Sequence, residues 1–127
     1  MVLPLLESDL LTVMQATTNG TLAETEVKFA DKHACCVILA SNGYPTSYKK
    51  GFEMSFTEEA LEHTYIAGAK LDGGKLVTSG GRVTGTTAIA DSLEEAIKEA
   101  YRLSDGVKFE GAYRRSDIGQ RALQALK

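Results

Sequence analysis

The stretch Lys75-Leu76-Val77-Thr78-Ser79-Gly80-Gly81-Arg82-Val83 constrains the fold of this chain more than any other. A strand-like run leads into a diglycine, where a backbone can turn or come close to a ligand, and a second strand follows. Val77 and Val83 are β-branched and suit a pleated surface, while Gly80 and Gly81 can take positive φ without steric cost. The stretch reads as a β-hairpin closed by the two glycines, with Ser79 opposite Arg82 and Lys75 on their face by period-two alternation. Lys75 and Arg82 stand seven residues apart and bracket the glycines. At a rise of ~3.3 Å per residue, Lys75 and Ser79 are about 13 Å apart, a gap that two long cationic side chains could close on one anion. The same spacing also fits a solvated hairpin with exposed charges.

Composition narrows the class. With 127 residues, 43% hydrophobic and 24% charged, residues 1–127 are expected to form one ordinary globular domain. The formal net charge of −3 and the lack of a basic face argue against a nucleic-acid partner. The longest purely apolar run, Ala34 to Ala40, is far short of the ~20 residues that span a bilayer. Val2 to Leu6 is too short for a signal-peptide core and has no basic flank before it. No membrane association is expected, and a cytoplasmic location follows by default. Cys35 and Cys36 are neighbours that point to opposite faces of a strand, so they are poorly placed to bridge each other. Neither has a partner at metal-ligand spacing, and both read as reduced thiols, at least one of them buried.

In chain order, Leu5, Leu6, Leu10, Leu11, Val13 and Met14 recur at helical spacing, with Ser8 or Asp9 as cap and Asn19-Gly20 as stop. Thr25 to Phe29 reads as a short strand. Ala34 to Ala40 is continuously apolar, which suits a strand buried on both faces. Ser41 to Gly51 is the longest irregular stretch, and its Tyr44 and Tyr48 either cover a site or pin the loop to the body. Phe52 to Phe56 alternates as a strand, and Thr57 caps a helical turn. Thr64 to Lys70 is a strand joined through Asp72-Gly73-Gly74 to the run from Lys75. Arg82 to Ala90 is a strand in which Gly85 marks a bulge or close packing. Asp91-Ser92 caps a helix with Leu93, Ala96, Ile97, Ala100, Tyr101 and Leu103 as its apolar stripe. Val107 to Tyr113 returns as a strand, and Ser116-Asp117 caps a last helix. The fold class is α+β, β-rich, with a mostly antiparallel sheet and flanking helices.

These residues form no complete catalytic constellation. Gly68 and Gly73 have the separation of a P-loop, but Gly74 stands where its lysine belongs and a strand follows. His33 and His63 lie in no recognisable hydrolase motif, and no metal site is expected. The remaining signal is cationic. Besides Lys75 and Arg82, Arg115 precedes a helix whose free N–H groups suit an anion, unless Asp117 fills that end as the cap. Gly80, Gly81 and Arg115 thus make a possible secondary site.

Several segments, in order, resemble the C-terminal domain of the phosphoribosylamine–glycine ligase family. They are Ala40-Ser41-Asn42-Gly43-Tyr44-Pro45 with Tyr48-Lys49-Lys50-Gly51, Ala67-Gly68 ahead of Lys75 to Val83, Phe109-Glu110-Gly111, and Tyr113-Arg114-Arg115-Ser116-Asp117-Ile118-Gly119. The resemblance runs from Val2 almost to Lys127. It implies the C-terminal domain of an ATP-grasp ligase, of the rudimentary hybrid-motif type, that joins glycine to 5-phosphoribosylamine in de novo purine synthesis. It further implies that ATP and Mg2+ (or Mn2+) bind mainly outside this stretch, in amino-terminal and ATP-binding domains that are absent here. The chain alone is then expected to be inactive. Related ATP-grasp enzymes hold a ribose 5-phosphate with a lysine and an arginine at this spacing, so the resemblance assigns that role to Lys75 and Arg82. An arginine fork can bind phosphate oxygens bidentately, and a lysine adds a point charge. Thr46 departs from the glycine usual in the Gly-Tyr-Pro loop. An independent phosphate-binding module and a purely structural docking domain are the alternatives.

Overall fold

The computed structural model describes residues 1–126. Helix α1 (Leu10–Asn19) comes first, then strands β1 (His33–Ser41) and β2 (Ser55–Phe56) and helix α2 (Glu58–Glu62). Strands β3 (Thr64–Ile66), β4 (Ala69–Asp72), β5 (Lys75–Thr78) and β6 (Arg82–Ala90) follow one another directly. Helix α3 (Leu93–Ser104), strands β7 (Val107–Lys108) and β8 (Ala112–Tyr113), and helix α4 (Gln120–Ala125) complete the chain. The central sheet has the order β3-β6-β1-β8 and is antiparallel throughout, while β2-β7 and β4-β5 form two separate ribbons. The α+β expectation holds.

Local chemistry places the helices. Asp9 caps α1 by accepting from the Thr12 N–H at 2.8 Å, and Gly20 ends it at φ +75°. Ser92 caps α3 through the Glu95 N–H, with Glu94 and Glu95 at the positive end of the helix and Arg102 at the negative end. α3 lays Ala96, Ile97, Ala100 and Leu103 onto Cys35, Val37 and Ala88 of β1 and β6. The three small alanines of that interface let helix and sheet approach closely. A second cluster, built on Leu39, Met54, Ala60, Val83, Val107 and Phe109, closes the other end of the sheet.

Five expectations change. β1 is buried on one face only: Val37 is fully buried, whereas Ile38 is 39% exposed, because α3 covers a single side of the sheet. Lys75–Val83 is not a hairpin. β5 pairs with β4 across Gly73-Gly74, and β6 pairs with β1 and β3, so Gly80-Gly81 is a crossing between a ribbon and the sheet. Thr25 to Phe29 forms no strand and keeps only the Leu6–Phe29 bridge. The runs Thr64–Lys70 and Val107–Tyr113 are each split in two, at Gly68 and Gly111, and Phe52–Phe56 shortens to Ser55–Phe56. The last helix is capped at Gly119 and not at Ser116-Asp117, so Arg115 does not stand at its N-terminus.

Candidate functional site

A β-bulge directs Arg82. In a regular strand Arg82 would share the face of Thr84, Thr86 and Ala88, and Ala88 packs against α3. The register slips between Leu39 and Ala40, which pair with Thr84 and Arg82 respectively, so Val83 is an extra residue. Val83 is fully buried in the second cluster, and Arg82 emerges on the outer face, the one that α3 leaves open, beside Cys36 and Ile38. Re-aiming a side chain is a common use of a bulge next to a site.

The backbone leading to Arg82 is tightly held. The Ser79 and Gly80 N–H groups both donate to the Gly68 carbonyl, at 2.7 and 3.0 Å. From the other side, the Ser41 N–H donates to the Gly81 carbonyl at 2.8 Å, and its hydroxyl donates to the Gly80 carbonyl at 3.0 Å. A Cβ on Gly68 would lie 2.4 Å from the Arg82 carbonyl oxygen, and one on Gly81 would lie 2.1 Å from the Tyr44 ring. These glycines permit close contact of backbones and ring. Neither Gly80 nor Gly81 has positive φ. Tyr44 therefore both pins its loop and walls the site.

Two adjoining cavities of about 590 and 870 Å3 open on the outer face and share Cys36, Ile38, Tyr44 and Arg82. The smaller extends over Tyr65, Gly81 and Thr87. Thr87 lines it beside Cys36, and the buried Thr84 and Thr87 hydroxyls have no hydrogen-bond partner among the described residues. The larger reaches Tyr113, Arg114, Arg115 and Asp117.

Three arginines meet at the larger cavity, and they differ in what they have left to give. Arg114 donates to the Tyr101 carbonyl at 3.1 Å, to the Ser104 hydroxyl and to Asp105 at 2.6 Å, with its guanidinium over the Tyr101 ring. It ties the chain after β8 to the C-terminal end of α3. Arg115 is bound by both oxygens of Asp117, at 2.7 and 2.6 Å, and those hydrogen bonds hold the Asp117 carboxyl below its ordinary value. Arg82 is exposed and makes no ion pair or side-chain hydrogen bond among the described residues. The residue lines both cavities.

Lys75 is placed elsewhere. It pairs with Glu53 at 2.8 Å on the exposed turn end of the β4–β5 ribbon and lines neither of Arg82's cavities. The structure thus groups Arg82, Gly81 and Arg115 on one face, with Gly80 directly behind, and leaves Lys75 apart. Sequence reading missed the contribution of Cys36, Ile38 and Tyr113 to that face. The available signal was Gly85, which pairs with Ile38. A Cβ there would come within 3.0 Å of the Cys36 sulfur and 3.1 Å of Ile38, so the glycine lets both lie across the open surface. The cysteines do point apart: Cys35 is buried, which pushes its thiol pKa up, and Cys36 is half-buried at the cavity. Among the described residues no group of three or more His, Cys, Asp or Glu could hold a metal ion. No helix is long and apolar enough to cross a membrane.

Comparison with known proteins places the chain in a family. The family model for the phosphoribosylglycinamide synthetase C domain matches residues 34–121. The chain is 49% identical over 118 residues to a phosphoribosylamine–glycine ligase of Caldanaerobacter subterraneus subsp. tengcongensis, covering 92% of this chain and 28% of that protein. It is 48% identical over 126 residues to the bifunctional purine biosynthetic protein PUR2,5 of Pichia angusta, covering 97% and 16%. It is 42% identical over 130 residues to the human trifunctional purine biosynthetic protein adenosine-3, covering 99% and 13%. The crystal structure of a phosphoribosylamine–glycine ligase from Thermotoga maritima superimposes with a TM-score of 0.69 at 35% identity, over 83% of this chain and 27% of that one. The chain spans less than a third of the length of each of these proteins.

Proposed function

The chain belongs to the phosphoribosylglycinamide synthetase C-domain family, and from that membership we propose that it is the substrate-side C-terminal domain of a phosphoribosylamine–glycine ligase. The complete enzyme joins glycine to 5-phosphoribosylamine at the expense of ATP, in the cytoplasm, and this domain contributes the seat for the 5-phosphate. One observation carries the assignment: the bulge at Val83 turns Arg82 out into a cavity with its donors unused. A planar guanidinium with free donors suits phosphate, which it can grip through two parallel N–H···O bonds. Arg115, bound by Asp117, sets the far edge of the same cavity. Lys75 is the second cation of the proposal. It reaches the phosphate only by leaving Glu53, an exposed pair that water and salt already weaken.

The described residues do not fit Mg-ATP, since they include neither a phosphate-cradling loop nor a carboxylate cluster for the metal. In this proposal both are held by the rest of the longer enzyme. This domain's part is to bind and orient the phosphoribosyl end. Holding a remote, non-reacting group of the substrate lets its binding energy position the amine for attack.

Steady-state kinetics of the complete ligase, with each substrate varied in turn, test the proposal. Arg82→Ala should lower kcat/KM for phosphoribosylamine about ten- to a hundredfold, as expected for losing a hydrogen bond to a charged group of roughly 1.5–3 kcal/mol. ATP and glycine parameters should stay near the parent values. Arg82→Lys should recover part of the loss, because it keeps the charge and loses the fork. Lys75→Ala should cost less than Arg82→Ala. Unchanged phosphoribosylamine kinetics in folded Arg82→Ala would instead favour a domain that only docks.

A further inference from the structure

Thr87 has a polar group that the phosphate seat does not use. The residue is 5% exposed, lies directly opposite Cys36 across the β1–β6 pair, and its hydroxyl has no hydrogen-bond partner among the described residues. Residues directly opposite on antiparallel strands have Cβ atoms about 5 Å apart on one face. The hydroxyl and the Cys36 thiol therefore share a corner of the smaller cavity. A buried hydroxyl without a partner costs free energy until a polar atom meets it, which marks this corner for an occupant. The Cys36 sulfur leans over Gly85, where a Cβ would come within 3.0 Å of it, a position that glycine leaves open. Charge selects the occupant. Among the described residues lining the two cavities, the cationic side chains are Arg82, Arg114 and Arg115, and the one carboxylate is Asp117, already bound by Arg115. Arg114 is engaged by Tyr101, Ser104 and Asp105, so Arg82 is the cation with donors to give. A thiol beside a free guanidinium suits a reagent that carries both a sulfur to be attacked and a carboxylate to be held.

We infer that Cys36 is a covalent modification site in the Arg82 cavity, thiolated by small anionic disulfides, the class to which glutathione disulfide belongs. Arg82 holds a carboxylate of the reagent, and the Cys36 thiol gives its proton to solvent. The thiolate attacks one sulfur of the reagent. A new S–S bond to Cys36 forms as the reagent's own S–S bond breaks, and the departing half leaves as a thiolate that takes up a proton. Cys36 is thereby oxidised and the departing half reduced. The Thr87 hydroxyl bonds a polar atom of the captured half. The consequence for catalysis rests on the reading of Arg82 as the 5-phosphate seat: an adduct whose carboxylate occupies Arg82 shuts out the phosphate until a thiol removes it.

Mass spectrometry of the 127-residue chain treated with glutathione disulfide, with fragmentation to separate the two sulfurs, tests the site. The adduct should form on Cys36 at least about ten times faster than on Cys35. Arg82→Ala should slow glutathione disulfide at least about fivefold and should not slow cystamine, a cationic disulfide. Added salt should slow glutathione disulfide on the parent chain, a measurement that needs no folded variant. Thr87→Val, which removes the hydroxyl and keeps the shape, should lower the equilibrium yield of adduct about two- to tenfold. No adduct at Cys36, an equal yield in Thr87→Val, or equal slowing of both reagents by Arg82→Ala would overturn the inference. In the complete ligase the adduct should lower kcat/KM for phosphoribosylamine at least about tenfold, and dithiothreitol should restore it. The two readings fail separately. An Arg82-dependent adduct with unaltered kinetics would sink the phosphate seat and leave the modification site standing, and altered Arg82→Ala kinetics without any adduct would do the reverse.

Discussion

Cys35 and Cys36 are neighbours in the chain and belong to different environments. Cys35 faces α3 with Val37, in a closed interior. Cys36 and Ile38 are nearly as apolar and lie beside an arginine at an open cavity. The composition of a strand therefore does not tell which of its faces is covered. Among the described residues α3 covers the inner face of the central sheet. The outer face keeps its apolar lining and receives a cation through a bulge, which sets the face proposed to bind phosphate apart from a core built of similar residues.

The comparison is open to attack from both sides, and the largest effect belongs to the inner face. Leu103→Ala, at a residue 3% exposed under the sheet, should cost about 2–5 kcal/mol in urea unfolding of the chain. Ile38→Ala on the outer face should cost under about 1 kcal/mol, because much of that side chain is already in water. Comparable losses at the two positions would erase the distinction between the faces.

Thiol chemistry offers a finer measure. With a maleimide under native conditions, followed by mass spectrometry, Cys36 should label at least about ten times faster than Cys35, whose thiolate is disfavoured by burial. Adding inorganic phosphate should leave Cys35 unaffected. Matching rates at both sulfurs would show that the outer face is as closed as the inner one.

The smallest effect concerns the rim of the inner face. Arg102 of α3 grips Glu59 of α2 at 2.5 Å and Glu99 at 2.6 Å, and its hydrogen bonds hold both carboxyls below their ordinary value of 4.5. Carboxylates with lowered folded pKa values contribute stability that is present above the unfolded value and lost as pH falls through the folded one. Glu59→Gln should therefore reduce the melting midpoint only slightly at neutral pH, and the deficit should vanish as pH falls below the ordinary carboxylate range and through the lowered folded value. A deficit that persists in acid would assign the effect to packing and not to charge.

What the sequence disclosed follows the range of the interaction. Asp9 and Gly20 around α1, Ser92 before α3, and the Gly73-Gly74 turn were all readable, since cap and turn chemistry is settled within a few residues. Which strand meets which was not. Lys75 and Arg82 sit on strands that pair with different partners, a fact settled by β4 and β1 and not by the glycines between them. Arg82 stood out by residue type, but its direction depends on the register slip opposite Leu39, for which the local residues carry no mark. Arg115 was legible as a cation and not as one already engaged, because Asp117 was taken for a helix cap.

The bulge has a consequence for the entropy of capture. Arg82 follows the Gly80 and Gly81 carbonyls gripped by Ser41 and precedes Val83, which is locked in the core, so its root cannot wander. Its head is free. In the proposed phosphate seat, an arriving anion would have to still only the torsions of one side chain, roughly 2 kcal/mol of rotamer freedom, with no loop to be ordered alongside it.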